Sequence, residues 1–160
     1  MGYLIDGNNF LGHVFPHELR DRRSRYVLVY RLLSFQKVKR SRIKLVFDGP
    51  PDQVLAEIHT REKKFSVHFP APGQKADDVI EELISRQTDF RQFFVVTSDR
   101  ELRDFAQTKG AKTLSVKEFA SQLKKALRER RAAAEIEKKA AKLSPFEIGL
   151  WLDTFGSKNG

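Results

Sequence analysis

The chain has 160 residues, about one domain's worth, and its 30 Lys and Arg against 21 Asp and Glu give a formal charge of +9, which points to a polyanionic partner. With no cysteine, disulfides, Cys-ligated zinc, iron–sulfur clusters and a thiol nucleophile are all excluded. No apolar run approaches the roughly 20 residues that span a bilayer, and Met1-Gly2-Tyr3-Leu4-Ile5-Asp6 is no signal peptide, so a cytoplasmic protein without a membrane partner is expected.

In chain order, Tyr3-Leu4-Ile5 is a short apolar run that stops at Asp6-Gly7-Asn8-Asn9. That predicts a buried strand delivering a polar turn. Tyr26, Val29, Tyr30 and Leu33 then recur at helical spacing and predict a helix over about 18–36. Arg20, Arg22, Arg23 and Arg25 crowd its first part. A second strand over 43–47 ends at Asp48-Gly49-Pro50-Pro51. The stretch 52–64 fits helix or loop equally. Residues 65–69 alternate like a third strand, and Pro70-Ala71-Pro72-Gly73 breaks the chain before a helix near Ala76. Val79, Ile80, Leu83 and Ile84 form the apolar stripe of that helix.

The run Phe93-Phe94-Val95-Val96-Thr97 reads as a strand buried on both faces and ends at Ser98-Asp99. Ser98 and Glu101 fit a capping box, so a helix is expected there, ending at Gly110. A fifth strand follows over 111–114. Ser115 and Glu118 form a second capping box, opening a helix that runs to about Lys142 and grows rich in Ala, Lys, Glu and Arg. Trp151, Leu152 and Phe155 mark a closing segment expected to pack back on the sheet.

Strands alternating with helices predict an α/β fold with a mostly parallel sheet of about five strands covered on both faces. One domain over 1–160 is expected, with a long basic helix at 117–142 and a short tail at 143–160.

In open parallel sheets, ligands bind at the carboxyl ends of the strands. Asp6, Asp48 and Asp99 sit at three such ends, and Asp77-Asp78 opens a helix that follows a fourth strand end. Each alone suits a turn or a helix start. Their recurrence on one expected edge is harder to explain by turns. Two carboxylates about 6 Å apart repel by roughly 3 kcal/mol at an effective dielectric of 20. Such a cluster takes up protons or binds a hard cation, for which Mg²⁺, Mn²⁺ or Ca²⁺ is the natural guest. An acidic metal site on a basic protein suggests nucleic-acid hydrolysis.

Four ordered motifs carry a resemblance: Ile5-Asp6-Gly7-Asn8-Asn9, Val46-Phe47-Asp48-Gly49, Lys75-Ala76-Asp77-Asp78-Val79-Ile80-Glu81 and Val95-Val96-Thr97-Ser98-Asp99. Together with the closing Trp151-Leu152 and Phe155-Gly156 they resemble the YacP-like family of NYN domains, within the PIN-like nuclease superfamily. The resemblance implies a three-layer α/β/α PIN-like domain and a metal-dependent endoribonuclease using Mg²⁺ or Mn²⁺, some relatives acting on messenger RNA at the ribosome. By motif position it implies Asp6, Asp77 and Asp99 as the catalytic, metal-binding trio, with Asp48 as a further polar group. Asp78 is interchangeable with Asp77 at this level. Asn8 would support the site, and Ser98 would orient Asp99 or the metal's water.

Arg22 and Arg25 after the first acidic strand end, and Lys75 before Asp77, are the candidate RNA contacts. Lys124, Lys125, Arg128, Arg130 and Arg131 form a second basic cluster, with a solvated helix face as its plainer reading. His13, His17, His59 and His68 show no zinc spacing, and neither a nucleophile elbow nor a Walker loop occurs. The expected partner is RNA, messenger or ribosomal, with the ribosome as a further one and no small-molecule cofactor; the oligomeric state stays open. Two other readings remain: a structure-specific DNA nuclease of the same fold, and a non-catalytic RNA- or ribosome-binding module.

Overall fold

The computed structural model describes residues 1–14 and 22–142. The expected helix start at 18–21, with Arg20, and the closing segment at 143–160 lie outside the described residues, as does His17. Five strands form one sheet: β1 (Gly2–Asp6), β2 (Arg42–Val46), β3 (Phe65–His68), β4 (Phe93–Val96) and β5 (Lys112–Leu114). Their order is β3-β2-β1-β4-β5, and every neighbouring pair is parallel. The helices are α1 (Gly7–Val14), α2 (Arg22–Lys39), α3 (Gln53–Ala56), α4 (Ala76–Arg86), α5 (Arg100–Thr108) and α6 (Val116–Lys142). A 3-10 turn, Ile58–Thr60, follows α3.

Alternation along the strands divides the core between two faces. Tyr3 lies in register with Ile43 and Phe94, and Leu4 with Lys44 and Val95. On the first face the Tyr3 ring meets Phe35 of α2, Phe94 of β4 and Phe119 of α6, and Phe10 of α1 meets Phe119. Four phenylalanines and Tyr3 thus form an aromatic cluster on this face. Phe119 is fully buried at its centre, so Phe119→Ala would cost roughly 3–5 kcal/mol. On the second face Leu4, Val46, Phe93 and Val95 pack with Ala76, Ile80 and Ile84 of α4 and Leu102 and Ala106 of α5. The result is a three-layer α/β/α arrangement.

The chain divides into two compact units, Met1–Ala126 and Leu127–Gly160. Within the second, α6 continues through Lys142, and its side chains from Arg128 to Lys138 are exposed. The Ser115–Glu118 capping box is present: the Glu118 N–H donates to Ser115 Oγ at 3.0 Å, and the Ser115 N–H to Glu118 Oε1 at 3.3 Å.

Two local expectations need correction, and one open stretch takes a definite form. A helix, α1, begins at Gly7 where a polar turn was expected, because Asp6 accepts the Asn9 N–H (3.4 Å) in the manner of an N-terminal cap. In the ambiguous stretch, Asp52 caps the four-residue α3 by accepting from the Val54 and Leu55 amides. Asp99, not Ser98, caps α5: its Oδ1 accepts the Leu102 N–H at 3.2 Å, so the helix starts one residue later than the capping box implied.

Candidate active site

The chain leaves β1 for β2 and β3 on one side and returns to β4 and β5 on the other. The order therefore reverses at β1 and β4, and the crevice at their carboxyl ends is where open parallel sheets hold ligands. Asp6 ends β1, Asp48 follows β2 by two residues, and Thr97-Ser98-Asp99 follow β4. Asp77 lies in the first turn of α4.

Gly7 makes the tight exit from β1 possible. A Cβ there would lie 2.6 Å from Phe47 Cδ1 and 2.7 Å from the Val46 carbonyl oxygen, closer than atoms tolerate. Two amide side chains then brace this turn on either side. Asn8 Oδ1 accepts the Asp48 N–H at 2.9 Å, and Asn9 Oδ1 accepts the Ser98 N–H at 2.8 Å. The loops after β2 and β4 are thus both tied to the end of β1.

Asp6 is only 7% exposed. Burial raises its pKa to about 6; hydrogen bonds from the Asn9 N–H and the Thr97 hydroxyl oppose the rise, and the Asp77 and Asp99 charges add to it. The Asp77 pKa is likewise raised, first by burial, then by the charges of Asp99, Asp48 and Asp78, with Lys75 acting in the other direction. Asp6, Asp77 and Asp99 are therefore within electrostatic reach of one another, and Asp48 joins the group through Asp77.

Asp48 and Asp78 are each held by backbone amides. Asp48 Oδ1 accepts from the Gly49 and Ala76 amides (3.0 and 3.3 Å), linking the end of β2 to the start of α4. Asp78 Oδ2 accepts the Lys75 N–H at 3.0 Å, so Asp78 turns back to cap α4 while its neighbour Asp77 feels the cluster. Among the described residues, no three Asp, Glu, His or Cys side chains form a ready-made metal cage.

Sequence reasoning missed Thr97 and Asn9. Thr97 is fully buried; its hydroxyl donates to Asp6 Oδ2 and accepts the Asp99 N–H, both at 3.1 Å. It is thus Thr97 that bonds both Asp6 and the Asp99 backbone, while Ser98 Oγ accepts the Val116 N–H at the start of α6 (3.2 Å). A threonine at a strand end reads as a strand former, which hid it. Asn9 stood in the quoted motif, and its amide could have been matched to the second flanking loop as Asn8 was to the first.

The basic candidates ring this edge. Arg25 Nη2 donates to the Asp48 carbonyl at 3.1 Å, and its guanidinium stands 5.0 Å from the Phe47 ring centroid. Arg22 Nε donates to Asp52 Oδ2 at 3.0 Å. Lys75 is exposed just before α4. His13 is exposed at the end of α1, His59 bonds the Ala56 carbonyl, and His68 bonds Ser66 Oγ. None of these imidazoles hydrogen-bonds to the acidic edge.

With this edge in view, a family model of the YacP-like NYN domain matches residues 3–149. The chain belongs to that family. The crystal structure of Rae1 (YacP) from Bacillus subtilis superposes with a TM-score of 0.65 at 24% identity, over 99% of this chain and 92% of that one. A point mutant of the same protein gives a TM-score of 0.68 at 24% identity, over 93% and 89% of the two chains. At this identity the likeness shows a common fold. No curated protein matches the chain. YacP-like NYN domains fall within the PIN-like nuclease superfamily, which makes this domain nuclease-like, with an RNA-related function. Among the described residues, no helix is long and apolar enough to cross a membrane.

Proposed function

We propose that this YacP-like NYN domain is an endoribonuclease that hydrolyses RNA phosphodiesters with Mg²⁺ or Mn²⁺ at the acidic edge, acting in the cytoplasm with ribosome-bound messenger RNA among its targets. One observation carries the reading: at the switch point of the sheet the buried Asp6 carboxyl lies within reach of the Asp77 and Asp99 charges, and Asp77 within reach of Asp99 and Asp48.

Such an edge is uncomfortable without a cation. Above pH 6 burial and mutual repulsion oppose the ionised Asp6. The donor set is all oxygen and therefore suits a hard divalent ion. Mg²⁺ commonly takes one or two carboxylates and completes its shell with water and substrate phosphate, so it needs no complete protein cage. When bound, the ion supplies an activated water and stabilises the departing oxygen of the phosphodiester.

The chain's own groups divide the remaining work. Asp6, Asp77 and Asp99 would hold the ion directly or through its water, with Asp48 supporting them, while Asp78 serves the helix cap. Thr97 holds Asp6 and the Asp99 backbone in one arrangement. Lys75, Arg22 and Arg25 border the edge and hold the phosphates of the substrate. In-line attack by water leaves a 5′-phosphate and a 3′-hydroxyl.

Matched RNA and DNA oligonucleotides, digested with Mn²⁺ or with EDTA, test this reading. RNA cleavage that EDTA stops and Asp6→Asn abolishes is expected. Faster cutting of DNA would make the protein a DNA nuclease, and the absence of both EDTA-sensitive cleavage and metal-dependent stabilisation would make it a binding module. Mapping new 5′ ends in total RNA with translating ribosomes tests the ribosomal target.

A further inference from the structure

The acidic edge can accommodate the bond that is cut, but a polynucleotide extends beyond it, and α2 starts where it would emerge. Arg25 on the first turn contacts the Asp48 carbonyl, and Arg22 pairs with Asp52 in the same loop. From there the outward face of α2 carries two basic and then two aromatic residues: Arg22, Arg23, Tyr26 and Tyr30. The inward face buries Leu28, Val29, Leu32 and Phe35 against the sheet.

Tyr30 stands out on that outward face. It is 74% exposed, on a helix whose other large apolar side chains are buried or half-buried. Arg23 lies seven residues before it, on the same side of the helix, and is exposed. Between them Tyr26 is fixed rather than loose: its hydroxyl donates to Asp52 Oδ2 at 2.9 Å and accepts from Arg22 Nε at 2.9 Å, and the Arg22 guanidinium lies 5.3 Å from its ring centroid. Arg22, Arg23, Tyr26 and Val27 line a shallow concavity. Tyr26 and Tyr30 are one turn apart, about 6 Å along the axis, a separation comparable with the repeat of an extended single strand.

An exposed aromatic ring on the same helix face as exposed cations matches what unpaired nucleic acid requires: a flat surface for a base and a positive charge for a phosphate. We infer that the outward face of α2 is a track for single-stranded RNA, on which Tyr30 stacks a base and Arg23 holds a phosphate as the strand leaves the acidic edge. This rests on the endoribonuclease reading and extends it. The track favours unpaired RNA over duplex, whose bases are already stacked on one another.

Fluorescence anisotropy with a labelled single-stranded 12-mer RNA in EDTA tests it. Tyr30→Ala is expected to weaken binding about tenfold, the scale of one lost base–aromatic contact. Tyr30→Phe should bind like the wild type, since the ring and not the hydroxyl does the stacking. Arg23→Ala should weaken binding and lower the salt slope by about 0.7, one phosphate on a single strand. A duplex of the same length should bind Tyr30→Ala as it binds the wild type. Wild-type affinity of Tyr30→Ala for the single strand overturns the track, and so does an equal loss in Tyr30→Phe. In both cases EDTA-sensitive cleavage by the wild type leaves the nuclease reading standing. A wild type that neither binds nor cuts RNA overturns both.

Discussion

The Thr97 hydroxyl donates to the Asp6 carboxylate at 3.1 Å, joining the ends of two neighbouring strands across 91 residues of sequence. The same oxygen accepts the Asp99 N–H, so one buried hydroxyl fixes two of the three acidic positions. Thr97→Val keeps the shape and removes both bonds. It is expected to cost roughly 1–3 kcal/mol by leaving a buried oxygen without a donor. The loss also removes a bond that lowers the Asp6 pKa, so the pH at which metal-dependent cleavage reaches half its maximum should rise. Activity at neutral pH should fall about 10- to 100-fold, the usual effect of losing a group that orients a metal ligand. Thr97→Ser should restore most of it. A pH–rate profile of the three proteins decides, and an unmoved profile in the valine variant would remove the orienting role.

Asp6 itself has a stability consequence that depends on pH. Its carboxyl goes from the ordinary 3.8 to about 6 on folding, so the folded state favours the proton. The stability this provides is fully present below about 3.8 and lost as pH rises through about 6. Asp6→Asn is neutral at every pH and keeps an oxygen for Thr97 to bond. Without divalent ions at pH 7.5 it should be the more stable protein, by up to about 3 kcal/mol. With Mn²⁺ the order should narrow or reverse, since only the wild type gains from the ion. Thermal melts at pH 4.5 and 7.5, with and without Mn²⁺, measure both effects. Equal melting of the two proteins at pH 7.5 in EDTA would contradict the burial argument.

Gly7 is constrained by its neighbours. A methyl group there meets a backbone carbonyl as well as the Phe47 ring, so trimming Phe47 cannot fully relieve it. Gly7→Ala is expected to cost roughly 1–3 kcal/mol through overpacking. It should also disturb the Asn8 and Asn9 braces, lowering cleavage more than the lost stability accounts for. Comparing denaturant midpoints with activity measured well below the unfolding transition checks this.

Lys75 is the counter-charge nearest in kind to a phosphate contact. It is exposed and offsets the raised pKa of Asp77, so Lys75→Ala should leave the fold intact and push the Asp77 carboxyl further up. Binding to RNA should weaken to a similar degree whatever the sequence, with the salt slope reduced by about one contact. An unchanged slope would remove Lys75 from the phosphate path.

Much of this was legible in the residues, for identifiable reasons. Asp6, Asp48 and Asp99 each end an apolar run, and alternation of strands with helices implied the parallel sheet that gathers their ends. What was not legible depended on contacts across the chain. The start of α1 was hidden because glycine is a poor helix former, and only the nearness of Phe47 and Val46 explains its presence. The capping role moved from Ser98 to Asp99 because Ser98 is engaged by α6, eighteen residues later. The four-residue α3 is too short for periodicity to register at all.

Strand β1 is hydrogen-bonded on both sides, to β2 and to β4. Its amides should therefore exchange with solvent only when the sheet opens as a whole, later than those of the outer strands β3 and β5. The buried carboxyl with the raised pKa is thus carried by the segment that yields last. Partial fraying of the periphery would leave the acidic edge assembled, and loss of the edge would coincide with global melting.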